Sequence, residues 1–210
     1  MDVFEFGNVN APVVLIQLVD EHDLEFIEKE IALIRENIGA DFRMIALKVR
    51  DWNKDLSPWE APPVFGKESF GDGAEATLNE ISKFCLDSSK TYYIGGYSLA
   101  GLFALWAAYQ CNLFTGVAAA SPSIWFPGFT DYMKEHEINS RHVYLSLGDK
   151  EEKTRNPVMA TVGDKIRTAY DLLIEQNVDC ILEWNKGNHF KDPDIRTSNA
   201  FAWVLKRRRG

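Results

Sequence analysis

The chain has 210 residues, of which 46% are hydrophobic and 26% are charged, and its formal net charge is −8. This length and composition predict one globular domain with a conventional core, and they exclude disordered and fibrous proteins. The negative charge disfavours nucleic-acid binding, because a phosphate backbone has to be neutralised by clustered lysine and arginine.

Short apolar segments alternate with longer segments of helical periodicity along the chain. The pattern predicts strands at 12–19, 42–49, 91–96, 116–121, 142–147 and 180–185. Apolar residues at spacings of three and four predict helices at 21–38, 74–88, 98–110, 157–177 and 193–206, the last with Asp192 as N-cap and Pro193 at its first position. This alternation is typical of a single α/β domain with a mostly parallel central sheet flanked by helices on both faces.

Residues 50–73 do not fit this regular pattern. They contain Pro58, Pro62 and Pro63, which break any helix, and two tryptophans. Long irregular segments are uncommon in compact domains and are often functional. Because this one leaves the C-terminal end of a parallel strand, where α/β folds bind ligands, we expect it to border a binding site.

The octet IGGYSLAG at 94–101 joins a predicted strand directly to a predicted helix. Its spacing fits neither a dinucleotide fingerprint nor a phosphate-binding loop. It fits a nucleophile elbow, a strained turn that exposes one serine and needs small residues two positions either side, here Gly96 and Ala100. We therefore predict Ser98 as a nucleophile and the N–H of Leu99 as an oxyanion donor. The alternative is a tight turn in which Ser98 only caps the helix.

A serine nucleophile needs a histidine as its base and an acid that orients the histidine. In hydrolases with this elbow, the acid and then the histidine follow the serine along the chain. Of the four histidines, His189 suits this order, since it lies in the loop between the last predicted strand and the last helix. The acid should follow the strand at 142–147, where Asp149, Glu151 and Glu152 are within reach. We favour Glu151, with Asp149 second.

With these residues in order, the chain resembles α/β-hydrolases of the esterase D-like family from about residue 12 to 206. The resemblance rests on GGYSLAGLFALWA around the elbow, SPSIW at 121–125, LSLGDKEE at 145–152 and GNHF at 187–190. Members of this family are serine hydrolases of carboxylic esters, including simple acyl esters, S-formylglutathione and siderophore trilactones. In the family's G-x-x-[DE] pattern the acid stands three residues after the glycine, which implies Glu151.

The resemblance implies one α/β-hydrolase domain over 1–210 with no separate lid domain. It also implies that Ser98, His189 and Glu151 cleave carboxylic esters through an acyl-enzyme intermediate. The first strand is followed by LVDEHDL rather than by the HGGG of lipases, so by position the second oxyanion donor is the N–H of Val19 or Asp20.

The substrate pocket is predicted to use aromatic and apolar residues from the long segment and around the elbow. These are Trp52, Pro58, Trp59, Tyr97, Ile124 and Trp125. A core position is at least as compatible with each aromatic residue. Their number indicates an ester with an apolar or aryl portion.

Neither a metal nor an organic cofactor is expected. Cys85, Cys111 and Cys180 show no metal-ligand spacing and are predicted to be buried thiols in a reducing cytosol. No signal peptide and no membrane-spanning segment is evident, so we expect a cytoplasmic protein that binds a small-molecule ester and neither nucleic acid nor membrane. The basic run at 206–209 is predicted to be a solvated helix end, with an anionic partner as the alternative.

Other functions remain open at this point. A hydrolase fold can serve as a non-catalytic binding module, and peptidases and acyltransferases use the same triad. The complete order of Ser98, Glu151 and His189 argues against a binding module, which has no need for all three. It does not separate an esterase from a peptidase, and the sequence carries no signal for the oligomeric state.

Overall fold

Seven strands form one sheet in the computed structural model, which describes residues 1–207. The strands are β1 (Asp2–Gly7), β2 (Val13–Val19), β3 (Arg43–Lys48), β4 (Thr91–Tyr97), β5 (Phe114–Ala120), β6 (His142–Gly148) and β7 (Asp179–Asn185). Their spatial order is β1-β3-β2-β4-β5-β6-β7. β1 runs antiparallel to β3, and the other neighbouring strands are parallel. The sheet confirms the predicted mostly parallel α/β architecture.

Helices cover both faces of the sheet. They are α1 (Glu21–Ile38), α2 (Trp52–Asp55), α3 (Ala74–Ser82), α4 (Leu99–Gln110), α5 (Phe129–Glu135), α6 (Val162–Glu175) and α7 (Pro193–Lys206). α1 and α7 share one apolar core with the sheet, and α3, α4, α5 and α6 share the other. β2 is buried at every position, which explains its unbroken apolar run. Within the described range, no helix combines the length and the hydropathy that crossing a membrane requires.

The six predicted strands are present to within two residues, but the regular elements also differ from the predictions. β1, α2 and α5 were not predicted, the helix expected at 74–88 ends at Ser82, and the one expected at 157–177 is a 3-10 turn followed by α6. β1 escapes recognition because it is an edge strand with almost no buried position. Arg208 and Arg209 of the basic run lie outside the described residues.

The predicted N-cap of the last helix is wrong in its detail. Asp192 is left-handed, with φ 53°, and its side chain makes no capping hydrogen bond. Its carbonyl instead accepts the N–H of Arg196 at 3.1 Å. Pro193 does stand at the helix start, where its missing N–H costs nothing.

A carboxylic acid is buried between α1 and the sheet. Glu30 is 4% exposed, and its Oε2 accepts a hydrogen bond from Gln17 Nε2 at 3.3 Å. Burial raises the pKa of Glu30 well above 4.5. The folded protein therefore binds a proton here that the unfolded chain releases, so this group's contribution to stability is complete below pH 4.5 and is lost as the pH rises through the folded-state pKa.

Replacing Glu30 by Gln is expected to stabilise the protein at pH 8. The amide keeps the shape of the side chain without a charge to bury, which should raise the unfolding free energy by about 1–2 kcal/mol. Thermal unfolding from pH 4 to 8 should show the variant losing less stability than wild type as the pH rises. Glu28→Gln, on the exposed face of the same helix, is the matched control. If the stabilities of wild type and Glu30→Gln change in parallel from pH 4 to 8, the raised pKa of Glu30 is contradicted.

Candidate active site

The turn between β4 and α4 has the geometry of a nucleophile elbow. Ser98 lies at φ 57° and ψ −120°, a strained conformation for a residue with a side chain. A Cβ at Gly96 would come within 2.6 Å of the Ala100 Cβ, so the small residues that flank the serine are required by close packing. The Ser98 side chain makes no capping hydrogen bond to α4, although its carbonyl accepts the N–H of Leu102 at 3.1 Å. The alternative of a simple helix cap is therefore wrong.

Three predicted residues meet at the carboxyl edge of the sheet. Ser98 Oγ lies 3.0 Å from His189 Nε2, and His189 Nδ1 lies 2.7 Å from Glu151 Oε2. The three residues follow β4, β7 and β6 respectively, and the carboxyl ends of parallel strands lie at the same edge of a sheet. This arrangement can transfer a proton from the serine hydroxyl to the imidazole while the carboxylate holds the ring.

The Glu151 carboxylate is held in a ring of donors. Its Oε1 accepts hydrogen bonds from the Gly148 N–H at 2.7 Å, from Ser121 Oγ at 2.9 Å and from Arg196 Nη1 at 2.9 Å. Burial raises the pKa of Glu151, but the hydrogen bonds from His189, Gly148 and Ser121 outweigh it and leave this pKa below its ordinary value. The group is therefore a carboxylate at neutral pH, as an orienting acid has to be.

The other two candidate acids face elsewhere. Asp149 Oδ1 accepts the N–H of Gly187 at 2.9 Å, and this bond lowers the pKa of Asp149. The same turn is joined to the loop by a bond from the Lys150 N–H to the Gly187 carbonyl at 3.1 Å. Glu152 lies 3.6 Å from Arg167 on α6. Glu151 is thus the acid that contacts the imidazole, and Asp149 braces the loop that carries it.

A cavity of about 240 Å³ opens beside the serine. It is lined by Asp20, His22, Asp23, Trp52, Tyr97, Ser98, His189, Phe190 and Pro193. Two of the six residues predicted for the pocket, Trp52 and Tyr97, are among them. Phe190 is 85% exposed at the rim, so its apolar ring is free to contact a bound molecule.

The other predicted pocket residues lie outside this cavity. Trp59 donates its indole N–H to the Pro127 carbonyl at 2.9 Å and packs against aromatic rings of the 126–132 segment. Ile124 and Trp125 are buried in the core on the α4 side of the sheet, where Trp125 packs against Phe65 and Phe70. Pro58 is only partly buried and is absent from the cavity lining. Of the two tryptophans, Trp125 therefore occupies the core position that was left open for it, and Trp59 is partly buried against the core.

The candidate oxyanion donors stand at the ends of two neighbouring strands. Leu99 begins α4, and the first N–H groups of a helix have no acceptor within it. Val19 ends β2 and pairs with Lys48 in the sheet. The N–H of Asp20 donates to Asp23 Oδ2 at 3.1 Å, as part of the capping box of α1. Asp20 therefore lies on the cavity wall, but its N–H already has an acceptor.

Several residues of the site were not predicted from the sequence. Arg196 and Ser121 surround the carboxylate, and Ser123 Oγ lies 3.2 Å from Ser98 Oγ. Ser121 and Ser123 belong to the SPSIW segment, which carries part of the family resemblance. The resemblance did not predict what either serine contacts. Arg196 lies in the first turns of α7, between Ile195 and Thr197, where no spacing rule identifies it as a site residue. The described part of the chain contains no cluster of three or more His, Cys, Asp or Glu residues suited to a metal ion.

No protein-family model and no curated protein sequence matches the chain, whereas many solved structures resemble it. The siderophore hydrolase EstA from Aspergillus nidulans superposes with a TM-score of 0.69 at 18% identity, over 94% of this chain and 83% of its own. The IroE-like serine hydrolase from Shewanella oneidensis gives a TM-score of 0.71 at 15% identity, over 93% and 71%. The enterobactin esterase FES from Shigella flexneri gives 0.67 at 15% identity, over 98% of this chain but 55% of its own.

These similarities concern the fold, because the sequence identities are 15–18%. They cover more than nine-tenths of the chain in each case, so the likeness includes the sheet and the helices on both of its faces. The chain therefore has the α/β-hydrolase fold, as its resemblance to the esterase D-like family implied.

Proposed function

We propose that the protein is a serine hydrolase of carboxylic esters. The observation that carries the proposal is the continuous hydrogen-bonded series from Ser98 Oγ through His189 to Glu151 beside an open cavity. A strained serine with a histidine and a carboxylate in this order is the arrangement that activates a hydroxyl for acyl transfer. The solved structures of the same fold include proteins named as siderophore hydrolases and enterobactin esterases, which supports ester substrates.

The mechanism begins with proton transfer. His189 Nε2 accepts the Ser98 proton as Oγ attacks the ester carbonyl, and the Glu151 carboxylate keeps Nδ1–H on the far side of the ring and stabilises the imidazolium. The developing oxyanion is held by the N–H of Leu99 and by a second donor at Val19 or Asp20. If Asp20 is that donor, its N–H has to leave the Asp23 carboxylate.

The alcohol leaves with the proton from His189, and an acyl group stays on Ser98. Water then enters from the open side of the cavity and gives a proton to the same nitrogen as it attacks the acyl-enzyme. The acid is released and Ser98 recovers its hydrogen. We propose no cofactor for this cycle, since each proton moves between groups of the chain, the substrate and water.

The acyl portion of the substrate is proposed to be small. A cavity of about 240 Å³ is below the range of roughly 300–1,000 Å³ that holds drug-sized ligands. Trp52, Tyr97 and Phe190 offer apolar contact to an alkyl or aryl part, while the open rim leaves room for the alcohol portion in solvent. We further propose a cytoplasmic location, which agrees with three free cysteines.

Covalent labelling by a fluorophosphonate tests the proposal without knowledge of the physiological ester. The probe is expected to attach to Ser98, identified by the mass of the modified peptide, and not to Ser121 or Ser123. Hydrolysis of p-nitrophenyl acetate and butyrate should be saturable and should stop when labelling is complete. Heat-denatured protein is the control for non-specific attachment.

The alternatives give different results in the same experiment. A non-catalytic module would show neither labelling above the denatured control nor turnover. A peptidase would be labelled, but would cleave p-nitroanilides with a kcat/KM comparable to that for the matching esters. An acyltransferase would release the alcohol faster with an added alcohol acceptor than with water alone.

The acidic wall of the cavity predicts discrimination against anionic esters. Asp20 and Asp23 line it, and no lysine or arginine is among the described lining residues. Burial, followed by the charge of Asp20, raises the pKa of Asp23 to about 6. Monoethyl succinate is therefore expected to have a kcat/KM about tenfold below that of ethyl butyrate at pH 7.5, which corresponds to roughly 1.4 kcal/mol of charge repulsion. The kcat/KM of monoethyl succinate relative to that of ethyl butyrate should rise as the pH falls through about 6 and Asp23 is protonated.

Asp23→Asn should remove most of this pH dependence, while Glu25→Gln on the exposed face of α1 should leave it unchanged. The two esters have acyl chains of the same length and pass through the same catalytic cycle. Titration of the catalytic groups therefore changes both kcat/KM values alike and cancels in the ratio of the two. Equal kcat/KM values for both esters at pH 7.5 would contradict an electrostatic role for this wall.

A further inference from the structure

A buried arginine lies behind the candidate triad. Arg196, on α7, is 2% exposed, and its Nη1 lies 2.9 Å from Glu151 Oε1, 3.0 Å from Tyr97 OH and 3.1 Å from Ser121 Oγ. Since Ser121 itself donates to Glu151 Oε1, the guanidinium fixes this carboxylate oxygen both directly and through a hydroxyl. The carboxylate is left with its other oxygen for His189.

The same guanidinium holds the loop that carries His189. Nη2 donates to the carbonyls of Asn188 at 3.1 Å and Lys186 at 3.4 Å. Tyr97 OH, which accepts from Arg196 Nη1, donates to the carbonyl of His189 at 2.7 Å. One side chain thus contacts the acid of the triad and the backbone on both sides of Gly187.

The burial of this charge is not explained by stability alone. Removing a guanidinium from water is costly, and a well-packed apolar side chain of similar size is often at least as stabilising in such a position. Ala200 and Phe201 on the same helix are apolar and fully buried, whereas Arg196 is surrounded by acceptors that belong to the triad and its loop. An arginine here therefore calls for a role in the site itself.

We infer that Arg196 is a positioning residue of the proposed hydrolase, which fixes the Glu151 carboxylate and the His189 loop and opposes premature protonation of the Glu151–His189 pair. This inference rests on the proposed function. A permanent positive charge bonded to the carboxylate disfavours a second positive charge on the imidazole of the same pair.

Other charged groups around the pair do not take over this role. Asp149 accepts the Gly187 N–H, and Asp194 at the start of α7 is paired with Lys29 at 2.5 Å. Asp20, His22 and Asp23 line the cavity together with His189, but Asp20 and Asp23 form the capping box of α1 and His22 lies 3.6 Å from Glu25. Lys186 and Lys191 flank the loop and are exposed to solvent, where their fields are screened. Among the described residues, Glu151 forms ion pairs with two side chains, those of His189 and Arg196.

The test compares Arg196→Gln, which removes the charge, with Arg196→Lys, which keeps the charge but cannot bond to both the carboxylate and the two loop carbonyls. Arg43→Gln is the matched control, since it removes one arginine from an ion pair with Glu5 at the far edge of the sheet. Each variant is measured for thermal unfolding, for the pH dependence of kcat/KM on p-nitrophenyl acetate, and for the pH midpoint of the His189 ring signals by NMR. A His189→Gln variant assigns those signals.

Arg196→Gln is expected to move both the acidic limb of kcat/KM and the ring midpoint upward by about one pH unit. It should also lower kcat by roughly 30-fold with little change in KM. Arg196→Lys should restore the midpoint to within about 0.3 of a pH unit but recover only part of kcat, because the loop carbonyls lose their donor. Arg43→Gln should match wild type in all three measurements.

A folded Arg196→Gln protein whose ring midpoint equals that of wild type would overturn the inference and leave Arg196 as a structural residue. If Arg196→Gln does not fold, Arg196→Lys decides, because an unchanged kcat in that variant would show that the bonds to the loop are not needed. The NMR measurement requires no substrate. A failure of the proposed esterase activity is therefore distinguishable from a failure of this inference.

Discussion

Ser98→Ala is expected to lower kcat for p-nitrophenyl esters by about 10⁴ to 10⁶-fold and to abolish fluorophosphonate labelling. The variant removes the oxygen that forms the acyl-enzyme, and the hydrogen-bond donors that remain around the cavity give only residual catalysis. His189→Ala should lower kcat by a similar factor, because the Ser98 hydroxyl then has no base to accept its proton. Both are measured as kcat at saturating ester, with thermal unfolding to show that the fold is retained.

The double variant Ser98→Ala/His189→Ala tests whether the two residues act together in catalysis or contribute to kcat independently. Groups that act together in one proton transfer lose almost everything with the first replacement, so the double variant should be no slower than either single one within about threefold. Ser123→Ala, which removes the other hydroxyl in contact with Ser98 Oγ, should lower kcat by less than about tenfold. Multiplicative losses, or a Ser123→Ala loss as large as that of Ser98→Ala, would be inconsistent with a Ser98–His189 unit.

The elbow could be predicted because its requirements are local. A strand that ends with Gly96 and Tyr97 and a helix that begins with Leu99 and Ala100 restrict Ser98 between them to a strained turn, whatever surrounds it. The order of the acid and the histidine is also fixed along the chain, so two candidate loops followed from the predicted strands. The pairing of Glu151 with His189 needed only that both loops lie at the same sheet edge.

The walls of the cavity could not be predicted in the same way. Trp59 and Trp125 carry the composition expected of a pocket, but whether an aromatic ring faces a cavity or the core depends on contacts between segments far apart in sequence. Asp23 shows the reverse case. Its place in the capping box of α1 follows from local sequence, whereas its place on the cavity wall follows from how α1 packs on α7 and the sheet.

Arg196 illustrates why polar core residues escape sequence reasoning. Hydrophobic periodicity finds the side of α7 that faces the sheet, and it assigns that side to Ala200, Phe201 and Val204. Hydrophobic periodicity predicts that a charged residue near the start of a helix is exposed to solvent. Its burial follows from acceptors supplied by the turn after β6 and the loop after β7, which no pattern within α7 reports.

Glu151→Gln is expected to lower kcat by about 10⁴-fold, while Asp149→Asn lowers it by less than about threefold. The oxygen Oε1 faces three donors, from Gly148, Ser121 and Arg196, so the carbonyl of the glutamine occupies that side. Its NH₂ group then faces His189 and donates to Nδ1. This forces the proton of the ring onto Nε2, where it faces Ser98 Oγ and cannot accept the serine proton.

Asp149→Asn keeps the side-chain hydrogen bond that Asp149 makes to the loop, because an amide oxygen accepts the Gly187 N–H as a carboxylate does. The two variants each remove one negative charge from the same turn, so a general electrostatic effect would lower both rates alike. Kinetic assays on both variants, with ring NMR of His189, distinguish the cases. Full turnover in Glu151→Gln with loss in Asp149→Asn would place the orienting acid at Asp149, and the contact between Glu151 and the imidazole would then have no catalytic consequence.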